Sequence, residues 1–270
     1  MNRSSWAARQ RRMLARLERQ AFPKVRAEIV RASKDIIRRY ELTGEVHQAR
    51  DHVANVEQIY LQMAQMSIRA MGREFSKQFK EVGLSLEVKT DEDDILNWAL
   101  EYILGELIRE RIVDVTDTTR QKIVQGVQAG YAQGLGQLGT AAEILKRVPE
   151  MTTRRAAVIA RTETHGAANY GAQKQAKASG APMKKIWLAG DDKRVRRIPR
   201  DAFDHLTSNG QTVGLDEPFL IPTKFGGTEA LQYPGDPAGS AGNVINCRCS
   251  VAHEVVTDFP EDDIFAGLEL

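Results

Sequence analysis

Two cysteines near the C-terminal end of the sequence are the residues best suited to hold a metal ion. Cys247 and Cys249 are the only cysteines of the chain, and Arg248 alone separates them. The alternating pattern around them predicts a β-strand, in which residues two apart point to the same face, so both sulfurs can approach one ion. Structural zinc sites use four ligands, usually Cys and His. Histidines that could complete such a site include His47, His165, His205 and His253.

The same two cysteines can also have a role that involves no metal. A Cys-x-Cys spacing strains a disulfide, so reduced thiols or a bound metal are the simpler interpretations. Ordinary packing of two small thiols is the first alternative to zinc. Nucleophilic chemistry is another, with Arg248 and a histidine activating a thiol, but neither cysteine opens a helix and no oxyanion hole is recognisable. We select His205, Cys247 and Cys249 as the candidate metal ligands.

Arg161, Glu163 and His165 form a second polar group, on a long predicted helix. Their spacings of two do not place all three on one helix face. A buried arginine or glutamate where this helix meets a sheet needs a charged partner. The candidate partners are Asp191, Asp192, Arg196 and Glu217. A polar network that holds loops in place explains these residues better than catalysis does.

The two ends of the chain carry opposite charge, although the overall net charge is only +2. Residues 1–39 contain twelve Arg and Lys against three acidic residues, a local charge of +9, whereas residues 254–270 contain six acidic residues and no Lys or Arg. A basic segment can bind nucleic acid by neutralising phosphates, dock on an acidic protein surface, or simply face solvent. The candidate nucleic-acid contacts are Arg9, Arg11, Arg12, Arg16 and Arg19.

The composition is that of a globular protein with a buried core. Of its 270 residues, 42% are hydrophobic and 27% are charged. No apolar run follows the N-terminal arginines as a secretory signal requires, and nowhere do about 18 apolar residues follow one another. We therefore expect neither a signal peptide nor a membrane span.

Most of the chain is predicted to be helical. Apolar residues at spacings of three and four predict helices over residues 5–22, 25–40 and 46–80. Pro23 separates the first two of these, and Pro149 is expected to end a later short helix. Beyond Pro182, short apolar runs predict strands. The predicted fold class is α+β, with a mostly helical N-terminal region followed by a small antiparallel sheet packed on a long helix, with long ordered loops.

Six short motifs follow one another along the second half of the chain. They are Ile159-Ala-Arg-Thr-Glu, Trp187 with Asp191-Asp-Lys-Arg-Val-Arg, His205 with Asn209-Gly-Gln, Asp216-Glu-Pro-Phe, Tyr233-Pro-Gly-Asp-Pro and Asn246-Cys-Arg-Cys. In this order they resemble the phage head-morphogenesis domain, the family of the minor head protein F of phage Mu. Motif by motif, the resemblance gives importance to Arg161, Glu163, Trp187, Asp192, Arg196, His205, Asp236 and Asn246, together with Cys247 and Cys249.

The resemblance implies a minor capsid protein of a tailed phage or phage-like particle. Such a protein would not be an enzyme; it would bind the portal protein and other capsid proteins during head assembly, in the host cytoplasm, and then reside in the virion at the head interior or the portal vertex. It would comprise a helical, basic region at 1–114, the head-morphogenesis domain at 115–256 and an acidic tail at 257–270. Contact of the basic region with packaged DNA is a further expectation.

The alternative function is that of a metal-dependent enzyme centred on Cys247, Cys249 and His205, with zinc as its ion. No cofactor is certain from the sequence. Zinc is the ion to which the Cys and His side chains point.

Overall fold

The computed structural model describes residues 3–47, 52–81, 83 and 91–256. Long helices make up most of the chain up to residue 178, and short strands follow. The helices are α1 (Arg3–Thr43), α2 (Val53–Glu81), α3 (Glu92–Leu104), α4 (Glu106–Ala132) and α5 (Gln137–Ala178). The later elements are β1 (Met183–Leu188), β2 (Thr212–Gly214), β3 (Phe219–Pro222), β4 (Thr228–Leu231), α6 (Ala241–Val244) and β5 (Ser250–Val255).

Helix α5 lies at the centre of the protein, with α1 and α2 packed along it. Small side chains on α5 allow these helices to approach closely, since its alanines at 156, 160, 167 and 168 are completely buried. The facing residues of α1 and α2 are apolar and spaced three or four apart, as the sequence predicts. Buried members of this core include Val25, Ile29, Val56, Tyr60 and Met63.

Two predicted helix boundaries are wrong, because both prolines lie inside continuous helices. Pro23 lies within α1 and Pro149 within α5. A proline in a helix interior removes one main-chain hydrogen bond and costs about 3 kcal/mol. Pro23 is exposed, while Ala21 and Val25 on either side of it are buried in the same core. A break at this point would therefore separate two parts of one apolar face. The burial of this continuous face stabilises the helix by more than the missing hydrogen bond costs.

The C-terminal region contains two small antiparallel sheets. β1 is the central strand of the first, pairing with β2 on one side and β5 on the other. β3 and β4 form a separate hairpin, which the sequence analysis did not predict. β5 packs on α5. The predicted α+β class, with a small antiparallel sheet on a long helix, is confirmed.

The segment that holds both cysteines was predicted to be a strand. This prediction is wrong. β5 begins at Ser250, one residue after Cys249. Its partner β1 ends at Leu188, which lies opposite Ser250, so the strand pairing stops before it reaches Cys249. Asn246 has a positive φ of 63°, which interrupts any extended run before the cysteines.

The proposed division of the chain into regions stays a prediction. The boundary between residues 114 and 115 falls inside α4, which is continuous. The acidic tail at 257–270 lies outside the described residues.

Gly171→Ala is expected to destabilise the protein, whereas Gly139→Ala is not. Both glycines lie on α5, but a Cβ at Gly171 would come within 2.9 Å of the Cα of Ile68 on α2. Overpacking of this kind costs about 1–3 kcal/mol. A Cβ at Gly139 would meet only the side chain of Leu135, at 3.8 Å, and alanine favours a helix over glycine by up to about 1 kcal/mol. Chemical denaturation measures both free energies of unfolding; equal values would contradict the close packing of α2 on α5.

Candidate functional site

Arg161 connects helix α1, helix α5 and the turn at Asn246. Its Nε lies 3.0 Å from Oε2 of Glu18 on α1, and its Nη2 contacts the other carboxylate oxygen. Its Nη1 donates a hydrogen bond to Oδ1 of Asn246. The partner is thus an acid of the N-terminal helix. The sequence analysis missed Glu18 and expected a partner among Asp191, Asp192, Arg196 and Glu217, which is wrong for Arg161.

The turn at Asn246 is held by its main chain as well as by its side chain. Its positive φ is a left-handed conformation that asparagine tolerates better than most residues. The N–H of Asn246 donates to Oγ1 of Thr162 at 2.9 Å. Thr162 is next to Arg161, so two consecutive residues of α5 fix one turn.

Asn169 lies two helical turns further along α5 and holds two other segments. Its Nδ2 donates to the carbonyls of Pro234 and Cys249, at 2.7 and 3.3 Å. Its Oδ1 accepts from the N–H of Val251 at 3.1 Å. Asn169 is completely buried. The sequence analysis did not select Asn169 or Thr162, and an asparagine within an apolar helix face was the one signal available.

The structure brings together the three residues that were selected as metal ligands. The Nδ1 of His205 lies 3.6 Å from Sγ of Cys247 and 3.5 Å from Sγ of Cys249. The three ligand atoms all lie within 4.8 Å of one another. Each of these side chains is at most 2% exposed. The ring of Trp187 covers one side of the group, edge-on to the His205 ring at 5.3 Å between centroids.

The two thiols influence each other's ionisation. A hydrogen bond from Cys249 holds the pKa of Cys247 well below its usual value, although burial acts in the opposite direction. Burial raises the pKa of Cys249 well above its usual value. The two thiols therefore differ, because their pKa values are shifted in opposite directions.

The other histidines named from the sequence lie elsewhere. His253 is buried with its ring against Phe75. His47 is partly exposed beside Glu45 at the end of α1. His165 is buried on α5, outside the group of three. Burial lowers the pKa of His165 to about 4 and that of His253 to about 3, so both are neutral at neutral pH.

Asp192 and Arg196 fix the loop that follows β1. Oδ2 of Asp192 lies 3.0 Å from Nε of Arg248, the residue between the two cysteines. Arg196 donates to the carbonyl of Ile245, and its own carbonyl accepts from the N–H of His205 at 3.0 Å. Both motif residues thus connect the His205 loop to the segment that carries the cysteines.

Asp236 and Trp187 stabilise the neighbouring turn and sheet. Asp236 accepts main-chain hydrogen bonds from Gln232 and Ala238, at 2.8 and 3.0 Å, which closes the Tyr-Pro-Gly-Asp-Pro turn. Trp187 is completely buried and also packs edge-on against Phe219, at 5.4 Å between ring centroids. Asp236 therefore stabilises the turn, and Trp187 fills the core under the sheet.

Glu163 faces the helical layer instead of the sheet. Its Oε1 lies 3.6 Å from Nη1 of Arg111 on α4, and its Oε2 has no hydrogen-bond partner. Burial raises the pKa of Glu163 to about 7, although Arg111 acts in the opposite direction. Burial, and then the charge of Glu163, raise the pKa values of Tyr60 on α2 and Tyr102 on α3. An open cavity of about 260 Å³ adjoins the group. Glu163 is therefore a buried acid that exchanges its proton near neutral pH.

A second open cavity, of about 370 Å³, lies between α1, α5 and the loop after β1. Its charged lining residues are Arg11, Glu18, Arg161, Asp191, Asp192, Arg194 and Arg248, and the neutral His165 also lines it. Each of the four arginines has an acidic partner within this set. Arg194 and Arg248 share Asp192, so the lining has one more arginine than acids.

The five arginines selected as nucleic-acid contacts fall into two groups. Arg9 pairs with Glu81 of α2, and Arg11 pairs with Asp191 of the loop after β1. The other three are exposed and make no ion pair within the described part of the chain. They are Arg12, Arg16 and Arg19.

Comparison with known proteins adds a family match. Residues 117–252, about half of the chain, match the family described as "Phage Mu protein F like protein". The matched range contains the six motifs and the group of His205, Cys247 and Cys249. No solved structure matches the chain.

Two curated proteins are also similar to this chain. "Uncharacterized protein YqbB" of Bacillus subtilis (strain 168) is 25% identical over 154 residues, which cover 57% of this chain and 46% of that protein. "NAD(+)--arginine ADP-ribosyltransferase EFV" of Enterococcus faecalis (strain ATCC 700802 / V583) is 28% identical over 198 residues, which cover 68% of this chain and 36% of that protein. The chain spans less than half the length of these curated relatives.

Glu163→Gln is expected to remove a pH dependence of stability. The pKa of Glu163 is raised to about 7 in the folded protein. The protonated side chain therefore contributes to the stability of the fold. This contribution is fully present below the pKa of glutamate in the unfolded chain and is lost as pH rises towards 7. The measured quantity is the free energy of unfolding of the wild type minus that of the variant. It should decrease by on the order of 3 kcal/mol as the pH rises from about 4.5 to about 7.

Urea denaturation of both proteins across this pH range measures the difference. His165 and His253 make stability depend on pH in the opposite direction, because their pKa values are lowered. Both histidines are present in both proteins, so their effect cancels in the difference. A difference that stays constant with pH would contradict the raised pKa of Glu163.

Proposed function

We propose a role in head assembly for this chain, which belongs to the family of phage Mu protein F-like proteins. This is a family of phage head-morphogenesis proteins, and its match over residues 117–252 carries the proposal. The polar motif side chains Arg161, Asp192 and Asp236 bond to the protein itself. Side chains engaged in this way support a rigid binding module rather than a site of turnover.

A metal-dependent enzyme centred on Cys247, Cys249 and His205 is the alternative. A catalytic zinc ion needs an open coordination position that a substrate can reach. Because none of the three side chains is more than 2% exposed, the binding role is the better supported one. The similarity to a protein named as an ADP-ribosyltransferase covers 36% of that protein and gives no residue of this chain an enzymatic role.

The proposed protein partners are the portal protein and other capsid proteins. The protein would meet them in the host cytoplasm during assembly and remain at the head interior or portal vertex of the virion. No described helix is both long and apolar enough to cross a membrane.

The surface that we assign to a protein partner is the helical end, defined by Leu42, Tyr131 and Leu138. Leu42 is 77% exposed and Leu138 is 70% exposed. They lie on adjoining helix ends, because Gln137 at the start of α5 donates to the carbonyl of Tyr40 near the end of α1, at 2.8 Å. Large apolar side chains grouped on a surface are typical of interaction sites.

Packaged DNA is the second proposed partner. Arg12, Arg16 and Arg19 are spaced four and three apart, so they project from one face of α1. Arg73 of α2 is exposed and lines the same cavity as Arg16, which extends this basic face. Such a face suits phosphates, whatever the base sequence.

The chain is expected to co-purify with the portal protein of its own phage when the two are co-expressed. The double variant Leu42→Ser, Leu138→Ser should retain about tenfold less portal protein, because it removes exposed apolar side chains from the helical end. Phe225→Ser is the matched control, since Phe225 is 89% exposed at the hairpin between β3 and β4.

Failure of the wild type to bind portal protein under conditions in which heads assemble would contradict the proposed function. Equal losses in the double variant and in Phe225→Ser would contradict only the assignment of the helical end.

DNA binding is expected to weaken steeply with salt and to depend on the exposed arginines of α1. Replacing Arg12, Arg16 and Arg19 by alanine should reduce the slope of log affinity against log salt concentration by about 0.9 for each phosphate that is no longer neutralised. The control replaces Lys122, Arg147 and Arg154 by alanine, which removes the same charge from exposed positions on α4 and α5. Fluorescence anisotropy with duplex DNA measures the slopes. No binding at low salt, or equal slopes in both variants, would refute the DNA contact.

A further inference from the structure

The ligand atoms of His205, Cys247 and Cys249 are spaced as in the coordination shell of one metal ion. Zinc lies about 2.3 Å from sulfur and about 2.0–2.1 Å from nitrogen, so a tetrahedral site separates a sulfur from a nitrogen by about 3.6 Å. The observed separations of Nδ1 from the two sulfurs are 3.6 and 3.5 Å. The side chains therefore already have the spacing that an ion requires.

The His205 ring is oriented so that its free lone pair points to the two sulfurs. Its Nε2 lies 2.6 Å from Oδ1 of Asn243. An amide oxygen only accepts hydrogen bonds, so Nε2 carries the proton and Nδ1 is left without one. This is the tautomer in which Nδ1 can coordinate a metal.

Further contacts hold Asn243 in the orientation that this tautomer needs. Its Nδ2 donates to Oε2 of Glu229 at 3.1 Å, which directs its Oδ1 towards His205. The same Oε2 accepts from Oγ of Ser240 at 2.9 Å. A metal-bound histidine usually has its second nitrogen fixed in this way. Glu229, Asn243 and His205 thus form a connected series that ends at the two cysteines.

If the two thiols only pack against His205 without a metal, the hydrogen-bonding capacity of the three side chains is used less completely. Nδ1 has one lone pair, so it can accept a hydrogen bond from one of the two thiols and not from both. The three side chains also come from two segments of irregular backbone, which pack here without strand pairing between them. One cation would engage all three polar atoms at once.

We propose that the chain binds one zinc ion through Nδ1 of His205 and the sulfurs of Cys247 and Cys249. Two thiolates and one imidazole are a donor set that zinc prefers. The ion would join the loop between β1 and β2 to the segment that enters β5. Since the three side chains are at most 2% exposed, a substrate cannot reach the ion, and the ion would stabilise the packing of these two segments. The inference does not depend on the proposed function, because a protein of either class could contain it.

The full chain, freed of any affinity tag, is expected to purify with one zinc ion per molecule by elemental analysis. Cys247→Ser and Cys249→Ser should each lose the zinc. Asn243→Ala should weaken zinc binding by about 10- to 100-fold, because it removes the group that orients His205. His253→Gln is the matched control, since His253 is equally buried but contacts Gln173 and Phe75 instead, and it should retain the zinc.

A measurement on the wild type covers the case in which the cysteine variants do not fold. Zinc removed by a chelator and replaced by cobalt should give the absorption of a sulfur-to-cobalt charge transfer, and chelation alone should lower the melting temperature. A wild-type protein that binds neither zinc nor cobalt overturns the proposal. So does zinc that remains in both cysteine variants.

Discussion

The C-terminal half of the protein depends on hydrogen bonds that helix α5 supplies from its side chains. Between β1 and β5 much of the chain has irregular backbone, and its buried N–H and C=O groups need partners. Thr162 and Asn169 provide several of these, and Gln173 adds one to the carbonyl of Leu215 at 2.6 Å. Each of the three is a polar residue on a helix face that would otherwise be apolar. A helix built only for apolar packing could not hold these loops.

Helix α1 belongs to the same structural unit, although its charge sets it apart in the sequence. Trp6 packs with Ile186, Leu188 and Ala252 of the sheet. Gln10 donates to the carbonyl of Val251 at 3.1 Å. The sheet therefore has α1 as well as α5 as a packing partner. Part of the positive charge of this region serves internal ion pairs, which explains why only some of its arginines remain exposed for a phosphate-rich partner.

The sequence was sufficient for the fold class, because the apolar residues of α1 and α2 repeat with helical spacing and the later apolar runs are short. It failed where a tertiary contact outweighed a local preference. Pro23 is an ordinary helix boundary until the core on both sides of it is known. The hairpin of β3 and β4 was missed because Pro218 and Pro222 make that stretch resemble a loop.

Sequence reasoning located the candidate site unevenly for a similar reason. His205 and the two cysteines were selected by residue type, and the structure places them in contact. Glu18 and Asn243 were missed, since a glutamate on a basic helix and an asparagine in a turn have no distinctive spacing. Their importance appears only when the chain is folded and Arg161 and His205 need partners.

The charges around the cysteines explain why a zinc ion suits this location better than a free thiolate does. Arg248 lies between the two cysteines in the sequence, but its guanidinium pairs with Asp192. Two buried thiolates without a cation would carry an uncompensated charge, and burying such a charge is costly. Two thiolates, a neutral imidazole and a divalent ion sum to zero. Such a site is neutral in itself, so it can lie in a core whose neighbouring charges are already paired.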